Sequence, residues 1–230
     1  METKLELWLV RHGETEWNAE GRWQGQTDVH LSELGREQAR RLAARLEGEH
    51  FNAVISSDLM RAHETARIVA SKLGGKPDVY LDRRWREIHV GALSGLTAND
   101  ALTRGLGRWS RPFEERYPDG ESRADMAIRV GHALTDLAQQ RRSGRVIVFT
   151  HGGTIKSAFG VLMQDPQSPF WTHFGPTANT AISRFQVALE ATDDTTEGEP
   201  GALVRGRLLG FNDSAHLETG FLRSATENVS

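Results

Sequence analysis

Short apolar runs alternate with stretches of helical periodicity, and this alternation constrains the fold more than any other feature of the chain. The runs lie at residues 5–10, 51–56, 79–81 and 145–150. Between the first two, Ser32 is placed to cap a helix over 32–49 that carries Leu34, Ala39, Leu42, Ala43 and Leu46. Asp58 is placed to cap a second, with Leu59, Ala62, Ala66, Ile68 and Val69, ending near Gly74-Gly75. Ser122 and Asp125 open a third that runs through Ala138, and residues 154–162 form a fourth. Two late strands are expected at 181–187 and 203–209, joined by an acidic, turn-rich loop over 189–201. A strand–helix–strand rhythm requires crossover connections, so the expectation is an α/β chain with a mostly parallel sheet covered on both faces. Such sheets bind ligands beyond the carboxyl ends of their strands.

The glycine- and proline-rich stretch from Glu87 to Arg123 breaks the rhythm. It is expected to be loop and short helices, a cap-like segment at about 91–123 over a site. One domain spanning 1–230 is expected, with a loosely held tail after about 220.

Two segments echo each other: LWLVRHGET at 7–15 and VIVFTHGGT at 146–154. Each is an apolar strand that stops at His-Gly-x-Thr, which sets His12 and His151 at the carboxyl ends of two strands. The following glycines let backbone amides approach a ligand, and a helix starting after His151 would point its unpaired N–H groups at an anion. A single His-Gly would read as a satisfied strand-end turn; two matched copies, one preceded by Arg11, do not.

Arg61 sits in the first turn of the helix that follows another strand end. Alone it would read as a surface partner of Glu64 or Asp58. With Arg11, His12 and His151 it completes a cationic hollow sized for a dianion. Phosphoryl transfer asks for this set. Charge on three oxygens must be stabilised, and a neutral imidazole held neutral by nearby arginines can attack phosphorus. A leaving alkoxide then needs a proton. Glu87, in RWREIHVGALSGL, is the candidate acid, kept protonated by partial burial; its bland alternative is pairing with Arg84 or Arg86. Asn18 and Gln24-Gly25 are weaker candidates, as substrate donors or as turn residues. His89 is either a pocket wall or exposed. Trp8, Trp17, Trp23, Trp85, Trp109 and Trp171 read as packing residues. His30, His50, His63, His132, His173 and His216 show no ligand spacing, and no metal or other cofactor is expected.

Composition narrows the surroundings. A net charge of −3 gives no basic field for nucleic acid or an anionic membrane surface. With no cysteine, there is no disulfide and no thiolate chemistry. The 5–10 run is too short for a signal core or a membrane span, so a cytoplasmic protein is expected. A homodimer is possible but not indicated.

These residues resemble the histidine phosphatase superfamily, also called phosphoglycerate mutase-like. The likeness runs through LVRHGETEWN, GRWQGQTD, LSELGREQA, ISSDLMRAHETA, REIHVGALSGLT, PDGES, FTHGGTIK, ANTAIS and FNDSAHL, from about residue 5 to 217. It implies a three-layer α/β/α sandwich, with His12 as the phosphorylated nucleophile, Glu87 as proton donor and Arg11, Arg61 and His151 completing the phosphate pocket. Asn18, Gln24, Gly25 and Gly152 would line the substrate site, without a metal. HVGALSGL is close to the mutase form, but the longer proline-rich insertion and basic pair usual in mutases are replaced by a short glycine-rich stretch and PDGES. The expectation is therefore hydrolysis of a small phosphorylated metabolite. The alternatives are a cofactor-dependent phosphoglycerate mutase and a non-catalytic protein that holds a phosphorylated ligand.

Overall fold

The computed structural model describes residues 5–106, 111–167, 175–192 and 201–218. Six strands form one sheet in the order β3-β2-β4-β1-β5-β6: β1 (Leu5–Arg11), β2 (Ala53–Ser56), β3 (Val79–Leu81), β4 (Gly144–Thr150), β5 (Ile182–Thr192) and β6 (Gly201–Asp213). The first four are mutually parallel, and β5 and β6 close the β1 side as an antiparallel pair.

Alternating side chains of the strands feed two separate cores. Leu5, Leu7 and Leu9 of β1 and Val146 and Val148 of β4 pack with Met126, Val130 and Leu134 of α5 (Arg123–Gln140) and Ile155 and Ala158 of α6 (Gly152–Leu162). Val10, Val54, Ile147 and Phe149 face the other way. They meet Leu42 and Ala43 of α2 (Glu33–Arg45) and Ala66 and Val69 of α3 (Met60–Ala70). This is the expected three-layer sandwich. Two short α-helices complete the α-helices among the described residues: α1 (Glu16–Ala19) and α4 (Ala98–Thr103).

The local signals act largely as read. Ser32 caps α2 through the Gly35 amide, and Ser122 and Asp125 form a reciprocal capping box on α5. The reading of Asp58 is corrected. The residue before α3 is Leu59, which makes no side-chain cap, and the Met60 amide donates instead to Asp28 Oδ1 at 2.7 Å. Asp58 is taken by Arg86, whose guanidinium grips both carboxylate oxygens at 2.6 Å. A bidentate charged pair outcompetes a cap to a neutral amide. The helix also ends earlier than expected, at Ala70, with Ser71 as its C-cap.

The late hairpin is longer than its expected strands. Glu190, placed in the acidic loop, lies in β5 and forms a 3.0 Å ion pair with Arg205 of β6; the connection 193–200 and the tail from 219 lie outside the described residues. In the cap-like segment, Leu93, Leu96, Ala101 and Tyr117 are buried in the core shared with α5 and α6, so its described parts are anchored. Trp109, Trp171 and His173 lie outside the described residues.

Candidate active site

Strand register brings the two histidines together. Arg11 of β1 is paired with Thr150 of β4, so His12 and His151 leave adjacent parallel strands at the same level. Beyond that level the chain diverges, toward α2 on one face and into α6 on the other, which opens a crevice between the strands. The imidazole centroids lie 5.2 Å apart and both rings are buried.

The loop after His12 is held by backbone contact. A Cβ on Gly13 would lie 2.4 Å from the carbonyl oxygen of Gly35, so only glycine permits this loop to rest on the first turn of α2. The Gly13 amide donates to Thr65 Oγ1 of α3 at 3.0 Å, and Asn179 Nδ2 donates to the His12 carbonyl at 2.9 Å. His12 Nδ1 is 2.6 Å from the Gly13 carbonyl oxygen. A carbonyl only accepts, so Nδ1 carries the proton and Nε2 keeps a free lone pair. Burial pushes the His12 pKa well below its ordinary value, with Arg61 and Arg11 adding to the depression.

His151 Nε2 meets Ser57 Oγ at 2.9 Å, at the end of β2, while its Nδ1 has no partner. Its pKa is also pushed well down, first by burial and then by Arg61, His12, Arg129 and Arg11. Both rings are therefore neutral near pH 7.

The two arginines approach from different elements. Arg61 is fully buried on α3 and donates to the carbonyls of Gly25 at 2.7 Å and Thr27 at 2.8 Å. Its Nε has no partner, and burial lowers its pKa to about 10, against the raising pull of Glu87 and Asp28. The surface pairing considered for it does not form. Glu64 is bound by Arg36 and Asp58 by Arg86. Arg11 is partly exposed, but its Nε is enclosed and unpartnered. It donates to the Thr177 carbonyl, and burial outweighs Glu87 and Glu14 in lowering its pKa.

Glu87 is held by two backbone amides: Ile88 N–H donates to Oε1 at 2.9 Å and Gly153 N–H, in the first turn of α6, donates to Oε2 at 3.0 Å. It does not pair with Arg84 or Arg86. Arg84 binds Asp82 and Asp136, and Arg86 binds Asp58. The weaker candidates divide. Asn18 serves the capping box of α1, accepting from Thr15. Gln24 is buried with Oε1 unpartnered, and Gly25 holds a left-handed φ of 52° while giving its carbonyl to Arg61. A Cβ on Gly152 would lie 3.7 Å from Arg11 Nε, which places this first residue of α6 against the arginine. His89 is exposed, and its amide donates to Glu121. Among the described residues no three His, Asp or Glu side chains gather as a metal site.

Sequence reading missed Ser57, Thr65 and Asn179 as supports of the two histidines, although all three lie inside quoted motifs. It also missed Lys156, four residues after Gly152 and so on the same helix face. Burial, and then Arg11, lowers its pKa against the pull of Glu87.

A model of the histidine phosphatase superfamily, branch 1, matches residues 7–193. The chain belongs to this superfamily. A phosphoglycerate mutase-like protein 4 of Arabidopsis thaliana is 35% identical over 227 residues, covering 95% of this chain and 90% of its own length. A probable phosphoglycerate mutase of Enterobacter sp. (strain 638) is 40% identical over 153 residues, covering 64% of this chain and 70% of its own. Among solved structures, a mycobacterial glucosyl-3-phosphoglycerate phosphatase in complex with VO3 superposes with a TM-score of 0.75 at 29% identity, covering 90% of this chain and 98% of that one. A phosphoserine phosphatase mutant from Entamoeba histolytica, bound to phosphoserine, gives 0.70 at 29% identity, covering 93% and 99%. Among the described residues, none of Arg11, His12, Arg61 and His151 is drawn into an ion pair; Glu64 and Asp58 are held by Arg36 and Arg86 instead.

Proposed function

We propose that this chain is a phosphomonoesterase acting on a small phosphorylated metabolite through a phosphohistidine on His12. The observation that carries the reading is the tautomer of His12. Its Nδ1–H is spent on the Gly13 carbonyl, so Nε2 presents a lone pair into the crevice beside His151, Arg11 and Arg61. Nε2 attacks phosphorus and the ester P–O bond breaks. Arg11, Arg61 and His151 take up charge developing on the non-bridging oxygens. Glu87 gives its proton to the departing alkoxide, then removes one from water as that water attacks the phosphohistidine. Inorganic phosphate leaves, and nucleophile and acid are restored. Asn18, Gln24, Gly25 and Gly152 are the proposed substrate contacts, and residues 91–123 the cap over them. The phosphatase neighbours support hydrolysis of a small ester.

Rapid alkaline quench of enzyme mixed with a 32P-labelled phosphoester tests this. Label is expected on the wild type, acid-labile as phosphohistidine, and absent from His12→Ala. A folded, active wild type that never carries label would overturn the reading.

A second reading, phosphoglycerate mutase, is favoured by the names of the curated relatives. Incubation with 3-phosphoglycerate, with and without 2,3-bisphosphoglycerate, separates the two. Isomer formed well in excess of free phosphate would make the chain a mutase.

A further inference from the structure

The backbone that carries Glu87 has no regular secondary structure beyond the turn Arg83–Trp85. Its peptide groups need partners from elsewhere, and one side chain reaches three of its carbonyls. Arg129 projects from α5 and uses all five of its N–H donors. One amino nitrogen reaches the carbonyls of Arg84 at 2.9 Å and Arg86 at 2.7 Å. The other reaches the Glu87 carbonyl at 3.0 Å and Glu121 Oε1 at 2.5 Å, and Nε reaches Glu121 Oε2 at 3.1 Å.

Glu121 continues the brace past Glu87. Its Oε1 accepts from the His89 amide at 2.9 Å, and its own amide donates to the His89 carbonyl at 2.9 Å. The pair is largely withdrawn from water, with side-chain exposures of 19% and 15%. Residues 84–89 are thus clamped on both sides of the acid. Other elements reach the backbone of this stretch by single hydrogen bonds, Thr150 Oγ1 to Trp85, Thr154 Oγ1 to Arg86 and Gln26 Nε2 to the Glu87 carbonyl at 3.1 Å, while the side chains of Arg84 and Arg86 are held by Asp82, Asp136 and Asp58.

We infer that Arg129, with Glu121, is a positioning residue for proton donation by Glu87. It touches neither substrate nor reacting atoms. It fixes the peptide from which the acid hangs, and through that the direction of proton transfer. This inference rests on the proposed role of Glu87 as acid. It predicts a defect in one partial reaction, bond cleavage to a leaving group that needs a proton. A general loss of fold or of phosphate binding would weaken all substrates alike.

The test compares kcat/KM, which reports steps up to phosphorylation of His12, for two esters. p-Nitrophenyl phosphate releases a stable phenolate and needs little acid help; phenyl or alkyl phosphate releases a basic oxyanion and needs it. Displacing an acid by ~1 Å costs on the order of 10²-fold. Arg129→Met is expected to lose on the order of 10²-fold on the basic leaving group and less than about threefold on p-nitrophenyl phosphate. Glu121→Gln, which keeps the guanidinium partnered, is expected to show the same split at smaller size, so the inference stays testable if Arg129→Met fails to fold. Glu87→Gln is run beside them. If Glu87→Gln shows no split, the role of Glu87 is wrong and the inference falls with it. If Glu87→Gln shows the split while folded Arg129→Met and Glu121→Gln lose equally on both esters, or lose nothing, Glu87 stands and the positioning role of Arg129 is refuted.

Discussion

The approach of Gly153 to Glu87 allows the acid to be displaced from the opposite side, without touching the arginines or histidines. A Cβ built on Gly153 would lie 2.2 Å from Glu87 Oε1 and 3.0 Å from its carboxyl carbon. An unstrained carbon–oxygen contact is no shorter than ~3.3 Å, so in Gly153→Ala the carboxyl must retreat by about 1 Å. The backbone itself accepts the change. Gly153 is absent from the positive-φ residues, and alanine in a helix is favoured over glycine by ~1 kcal/mol. Folding stability should be unchanged or slightly higher. A 1 Å displacement of a catalytic group costs on the order of 10²-fold, or about 2.7 kcal/mol in the barrier, within the range that general acid catalysis supplies. The assay is kcat/KM for an alkyl phosphate, beside the inhibition constant for vanadate, which reads the phosphate pocket alone. The expected result is a loss near 10²-fold in the first and a change under about threefold in the second. Activity within a few-fold of wild type would refute the placement of Glu87. A parallel loss of vanadate affinity would show that the first turn of α6 had moved instead, carrying His151 with it.

Arg61→Met should abolish phosphate recognition and leave the carbonyls of Gly25 and Thr27 without their donor; the expected loss in kcat/KM is on the order of 10²–10³-fold. Inorganic phosphate should raise the melting temperature of wild type and fail to raise that of this variant, as a scan with and without phosphate would show. His12 and His151 should show no imidazole titration by NMR between pH 8 and 6, because burial and the arginines hold both pKa values well below 6.5. The same depression makes stability pH-dependent. Above pH 6.5 both states hold neutral rings and the contribution is complete. Below it the unfolded chain takes up protons that the folded chain refuses, so stability falls with pH by at most about 1.4 kcal/mol per unit for each histidine. His216, lowered to about 4 by burial and Arg45, contributes less in the same window because it is only partly buried. Urea midpoints that stay constant from pH 7 to 5 would contradict this.

What the sequence reveals and what it hides divide along one physical line. His12 and His151 are legible because each ends an apolar run, and a parallel sheet collects such ends at one edge. The register of Arg11 against Thr150 then follows from pairing. The partners of three groups cannot be read this way, because they are set by tertiary contact. Asp58 looks like a helix cap, yet Arg86 arrives from 28 residues away to claim it, and Asp28 takes over the Met60 amide. Arg61 would read as a surface ion pair if it stood alone and joins the pocket reading only in the company of Arg11, His12 and His151; α3 turns it wholly inward onto two loop carbonyls. Arg129 looks like one more charge on an amphipathic helix, paired at most with Glu121 eight residues before it. Its partners at Arg84, Arg86 and Glu87 lie more than forty residues upstream, on backbone atoms that carry no side-chain identity. A nucleophile at a strand end announces itself through the residues around it. An acid on irregular backbone depends on a distant guanidinium satisfying carbonyls, and carbonyls leave no trace in a sequence. Glu87 can thus be named from its motif as the candidate acid, while the guanidinium that satisfies the carbonyls around it emerges only from the folded chain.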